Sequence, residues 1–126
     1  MIAVDTSAWI EWLLDSPLKA ELAEHWPAWE TTLVPTLVQH ELAKWLCREV
    51  SEEAADQAIA YTMRCSVVAL DTRIALKAAE VARAHKLATA DAIIYATALE
   101  HGAGLLTCDA YFEGLPCVEL VRKLAE

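Results

Sequence analysis

Ile2-Ala3-Val4-Asp5-Thr6-Ser7-Ala8-Trp9 is the stretch from which the fold is read. Its three apolar residues suit a short, buried strand that stops at Asp5. Thr6 or Ser7 can then cap a helix expected over Ala8 to Leu14, because a hydroxyl accepts from the free N–H groups of a first helical turn. The chain thus starts as a strand that runs straight into a helix.

The rest of the chain repeats that alternation. Ser16-Pro17 opens a helix from Leu18 to about His25, as proline suits a first helical position. Thr31 to Val34 is β-branched and short, and reads as a strand. Helices follow from Pro35-Thr36 to about Val50, and from the Ser51 cap to about Arg64. Val67 to Leu70 is the next strand. Asp71-Thr72 begins a helix to about His85. Thr89 begins another that ends near His101, with Gly102 as its stop. Leu105 to Thr107 is a strand, Asp109 to Phe112 a helical turn, and Cys117 to Leu120 a last strand. Strands alternating with helices imply an α/β chain, with a central parallel sheet flanked by helices.

Composition fits one domain over residues 1–126: the apolar fraction is 56% and glycines number only 3. No apolar run approaches the ~18 residues of a membrane span. The N-terminus lacks the basic segment and apolar core of a signal peptide, so a cytoplasmic protein is expected. Cys47, Cys65, Cys108 and Cys117 form no C-x-x-C pair, and His25, His40, His85 and His101 are scattered. A zinc site is therefore not expected. Trp9, Trp12, Trp26 and Trp29 crowd the N-terminal quarter, as packing beneath the sheet or as a partner surface.

The candidate chemistry lies in four carboxylates. Asp5 and Asp109 each follow an apolar strand, and the strand C-termini of a parallel sheet open at one edge, where ligands bind. Glu41 falls inside the apolar arc of Leu37, Val38, Leu42, Trp45 and Leu46. An ionised group there must pair, with Arg48 for example, or bind a cation. Asp91 occupies the first turn of a helix that is apolar almost all round; the helix dipole alone would also favour it there. Asp71 reads as a helix cap. Asp5, Glu41, Asp91 and Asp109 on one rim would repel one another, and a divalent cation resolves that conflict. Oxygen ligands without Cys or His suit Mg²⁺ or Mn²⁺.

These stretches resemble PIN domains and, among them, VapC-type toxins. Ile2 to Trp9 is similar to the family's opening strand and first Asp. Leu37 to Leu42 is similar to its helical Glu, Leu87 to Ala98 to its third acidic motif, and Leu105 to Phe112 to its fourth. The resemblance spans the chain in the expected order. It implies a three-layer fold with four to five parallel strands, and Mg²⁺- or Mn²⁺-dependent endoribonuclease activity. It further implies Asp5, Glu41, Asp91 and Asp109 as metal ligands, with Thr6 and Thr107 as supporting hydroxyls. A homodimer and a VapB-type antitoxin partner are also implied. The net charge of −9 disfavours loose nucleic-acid binding. It suits a basic antitoxin segment and leaves RNA to metal ions and to Lys44, Arg48 and Arg73.

Two other readings differ in kind. An aspartyl-phosphate phosphatase needs a D-x-D where the chain has Asp5-Thr6-Ser7, and a receiver domain needs an acidic pair there. A catalytically silent interaction protein would keep the fold without the chemistry, and degenerate members of such a family usually lack at least one of the carboxylates.

Overall fold

The computed structural model describes residues 1–122. Five strands form one sheet: β1 (Ile2–Val4), β2 (Thr32–Pro35), β3 (Ser66–Val68), β4 (Gly104–Thr107) and β5 (Val118–Leu120), in the order β3-β2-β1-β4-β5. All neighbours pair in parallel, with Ala3 opposite both Leu33 and Leu105, and Thr107 opposite Leu120. Six helices flank the sheet: α1 (Thr6–Leu13), α2 (Lys19–Ala23), α3 (Thr36–Glu49), α4 (Glu52–Thr62), α5 (Thr72–His85) and α6 (Thr89–Glu100). This is the expected three-layer PIN-like architecture, at the upper end of its strand count.

The central strands are buried through both faces. Ala3, Val4, Leu33, Val34, Leu105 and Leu106 join Trp9, Leu22, Val38, Leu42, Ile94, Tyr95 and Phe112 in one core. This explains why β1 and β4 read as unbroken apolar runs rather than alternating ones. α6 is the most enclosed helix, with Ala92 and Ile94 to Ala98 buried. Its buried Thr97 hydroxyl donates to the Ile93 carbonyl (2.7 Å). Tyr95 Oη donates to the Pro116 carbonyl (2.7 Å), so that ring adds core area without stranding its polar tip.

Element boundaries shift for local reasons. α1 begins at Thr6, two residues before the expected start, because Asp5 is its N-cap: the Asp5 carbonyl accepts from Ala8 N (3.0 Å) and Trp9 N (3.1 Å). No side chain caps this helix, which frees the Asp5 carboxylate for other partners. α2 is shorter than the expected Leu18–His25 helix. β2 lies one residue later than the expected Thr31–Val34, at Thr32–Pro35, and Pro35 both ends the strand and is the N-cap residue of α3. Asp71 and Ser51 are side-chain caps, accepting from Ile74 N (2.9 Å) and Ala54 N (3.0 Å). Among the described residues no helix is long and apolar enough to cross a membrane.

The tryptophans divide. Trp9 is buried, edge-on to Trp26 (5.2 Å between centroids) and Tyr61 (5.8 Å), whereas Trp12 stacks on Trp26 at 4.3 Å. With Leu13, Leu14, Leu46 and Val50 these rings line an apolar groove of about 380 Å³. Trp9 thus fills the core, whereas Trp12 and Trp26 wall a groove open to solvent.

Candidate active site

Asp5 leaves the end of the central strand and is only 3% exposed. Its backbone N–H continues the β1–β4 ladder, donating to the Leu106 carbonyl at 2.8 Å. Its Oδ2 accepts from Ser7 Oγ (2.7 Å) and Thr107 Oγ1 (2.8 Å). The two hydroxyls also lie 3.2 Å apart. Each takes a further bond: Ser7 Oγ accepts from Cys108 N (3.0 Å), and Thr107 Oγ1 accepts from Asp109 N (3.0 Å). The network ties the chain after β1 to the chain after β4 and fixes the Asp5 carboxylate. Burial pushes the Asp5 carboxyl above its usual range, the Ser7 and Thr107 bonds pull it back, and the Asp109 charge adds a further upward push.

The other three carboxylates approach from separate elements. Glu41 projects from α3, half-buried, and its Oε1 accepts from Thr6 Oγ1 at 2.6 Å. Arg48, the suggested partner, pairs instead with Glu49 (2.8 Å). Asp109 follows β4 and accepts from Tyr111 N (2.9 Å), which forms the short turn Ala110–Phe112. Asp91 sits in the first turn of α6, with no cap hydrogen bond on that helix. Burial, followed by the charges of Asp5, Asp109 and Glu41, pushes the Asp91 carboxyl up to about 6. Asp71 is engaged as the α5 cap, accepting from Ile74 N.

The four carboxylates therefore share one field, and among the described residues none forms an ion pair with Lys, Arg or His. In chemistry this donor set fits a hard divalent cation. In geometry it is not a finished cage: among the described residues no three His, Cys, Asp or Glu side chains converge closely enough to hold an ion.

Sequence reading assigned Thr6 and Thr107 as supporting hydroxyls, and both hydrogen-bond to rim carboxylates. It treated Ser7 only as a possible helix cap. Ser7 instead bridges Asp5 to the Cys108 backbone. The available signal was a hydroxyl two residues after a strand-ending Asp, which the capping pattern explained equally well. Cys108, between Thr107 and Asp109, has its thiol pushed up to about 12, by burial first and then by Glu11, Asp5 and Glu21. That shift disfavours the thiolate that a nucleophilic cysteine needs.

Comparison with solved structures gives close matches of fold. A toxin–antitoxin complex from Klebsiella pneumoniae superposes with a TM-score of 0.79 at 22% identity, covering 94% of this chain and 96% of that one. VapC20 of Mycobacterium tuberculosis, described as a sarcin–ricin loop cleaving toxin, gives 0.78 at 21% identity, covering 96% and 99%. DNA-bound VapBC from Salmonella typhimurium gives 0.72 at 19% identity, covering 96% of each chain. Curated protein sequences yield no match. The PIN domain family profile matches residues 2–116, which takes in all four carboxylates and both supporting threonines; the chain belongs to the PIN domain family.

Proposed function

We propose that this protein is a divalent-metal-dependent endoribonuclease, acting in the cytoplasm as the toxin of a VapBC-type toxin–antitoxin pair. The observation that carries this reading is the group of Asp5, Glu41, Asp91 and Asp109, none paired with Lys, Arg or His among the described residues, with Asp91 pushed up to about 6 by burial first and then by the other three charges. Asp5, Glu41, Asp91 and Asp109 would hold Mg²⁺ or Mn²⁺, which when bound activates water and offsets charge on the phosphodiester. The chain's own part is positioning. Ser7 and Thr107 fix the Asp5 carboxylate, Thr6 fixes one oxygen of Glu41, and α6 presents Asp91 from the most enclosed helix. None of these steps needs a His or Ser nucleophile.

The structural relatives support the biological assignment, since one is described as a toxin–antitoxin complex, one as a sarcin–ricin loop cleaving toxin and one as DNA-bound VapBC. A VapB-type antitoxin would cover the apolar Trp12–Trp26 groove, and its basic residues would meet the acidic rim. A homodimer is part of the same proposal.

The test is cleavage of total cellular RNA by antitoxin-free protein in Mg²⁺, in Mn²⁺ and in EDTA, beside Asp5→Asn. Metal-dependent cleavage that disappears in the variant is expected. An inert wild-type protein would favour a PIN-fold interaction protein that lacks catalysis.

A further inference from the structure

We infer that α3 carries a single-stranded RNA track leading away from the carboxylate rim, with Lys44 and Arg48 as phosphate contacts and Trp45 as a stacking surface. The inference deepens the nuclease reading and rests on it for the direction in which the strand runs.

A cleft of about 440 Å³ opens beside Glu41, walled by Thr6, Leu37, His40, Lys44, Trp45 and Arg48 among others. Two stripes of α3 meet there. Leu37, Glu41 and Trp45 are spaced four apart, and so are His40, Lys44 and Arg48, so each stripe follows one helix face. The eight-residue step from His40 to Arg48 covers roughly 12 Å of axis. The cleft thus begins at a rim carboxylate and runs between cationic side chains and an indole.

Charge selects the occupant. The chain carries −9 overall, yet this wall presents Lys44, exposed and without an ion pair among the described residues, and Arg48. Arg48 touches Glu49, but that pair is 60% and 49% exposed. Pairs so exposed are weak, and a phosphate can displace the carboxylate. Cations spaced along a groove with an aromatic face are the arrangement that binds single strands without reading their sequence. A strand seated here would bring a phosphodiester to the Glu41 end of the cleft.

The test uses a short, fluorescent 2′-O-methyl oligouridylate, binding by anisotropy in Mg²⁺ between roughly 50 and 200 mM salt. Each single-strand phosphate contact contributes about 0.7 to the slope of log K against log salt. Lys44→Gln is therefore expected to flatten the slope by about 0.7, and Lys44→Gln/Arg48→Gln by about 1.4. Trp45→Leu should weaken binding about 5-fold or more at unchanged slope, and Trp45→Phe should restore most of it. Both cations are exposed, so their variants keep the fold. With cleavable RNA, Lys44→Gln should raise KM and leave kcat within about twofold.

Slopes unchanged in both cation variants overturn the track, whether or not the protein cleaves RNA. No binding of the oligonucleotide by the wild type also overturns it, as does tighter binding of oligo-glutamate, which would mark an acidic peptide site. Flattened slopes with no cleavage by the wild type would leave the track standing and sink the nuclease reading.

Discussion

Replacing Asp91 by Asn should stabilise the metal-free protein, and the size of the gain follows from the site. The Asp91 carboxyl rises from 3.8 to about 6 in the fold. A shift of about two units corresponds to roughly 3 kcal/mol of differential free energy. The sign follows from the direction of the shift. A carboxyl raised in the folded state is easier to keep protonated there than in the unfolded chain. The fold therefore carries no penalty below about pH 4, loses stability as pH rises from about 4 to 6, and bears the full penalty above that. Solvent at this half-buried position screens part of it, and Asn also forfeits the ~0.3–1 kcal/mol that a carboxylate gains in a first helical turn. A net gain of about 1–2 kcal/mol remains, or roughly 4–8 °C in Tm for a domain of this size. The assay is thermal unfolding in EDTA at about pH 7.5 and again at about pH 4, where the gain should vanish. Saturating Mg²⁺ should reverse the order, because a ligand at 100 times its Kd stabilises by about 2.7 kcal/mol and the variant has lost a donor. An Asn variant no more stable than wild type at the higher pH would refute the account of the rim as uncompensated charge.

Other substitutions separate the parts of the site. Thr107→Val should destabilise by about 2 kcal/mol in urea unfolding, because it strips one bond from the Asp5 carboxylate and leaves the Asp109 N–H without its acceptor. Glu41→Gln should keep the wild-type Tm in EDTA to within about 2 °C, since Thr6 can still donate to its carbonyl oxygen, yet lose most of the Tm rise on adding Mn²⁺. Asp71→Ala should cost about 1 kcal/mol by removing the bond from Ile74 N and leave the Mn²⁺ response untouched, which marks it as a cap alone.

The strands were legible because their burial is written into contiguous apolar residues. Ile2–Val4 and Leu105–Thr107 each end at a polar residue, and the structure places their ends side by side. Asp71 was legible because a carboxylate just ahead of a helix has one cheap use. Boundaries were less so. β3 was expected at Val67–Leu70 but spans Ser66–Val68, because Ala69 and Leu70 are exposed and a sheet edge sets its own end. Ser7 reads in the sequence as a cap alone, because capping and carboxylate support ask for the same residue. The Glu41 salt bridge to Arg48 was a fair reading of one helix face. It gave way because Arg48 reaches Glu49, one residue along, and Thr6, from a helix remote in sequence, reaches Glu41.

The α3–α4 pair carries a small apolar cluster of its own, Leu46, Ala55 and Ala58 beneath Trp45, separate from the main core. A cluster of three small or medium side chains buries little area, so this end of the pair is cheaper to open than the main core. Amide hydrogens of Leu46 and of α4 should then exchange with solvent sooner than those of β1, β4 and α6. The molecule would divide into a slow-exchanging frame that holds three carboxylates and a faster wall whose root carries the fourth. Any partner that clamps that wall would slow its exchange first, and so report its arrival before a change appears anywhere else in the chain.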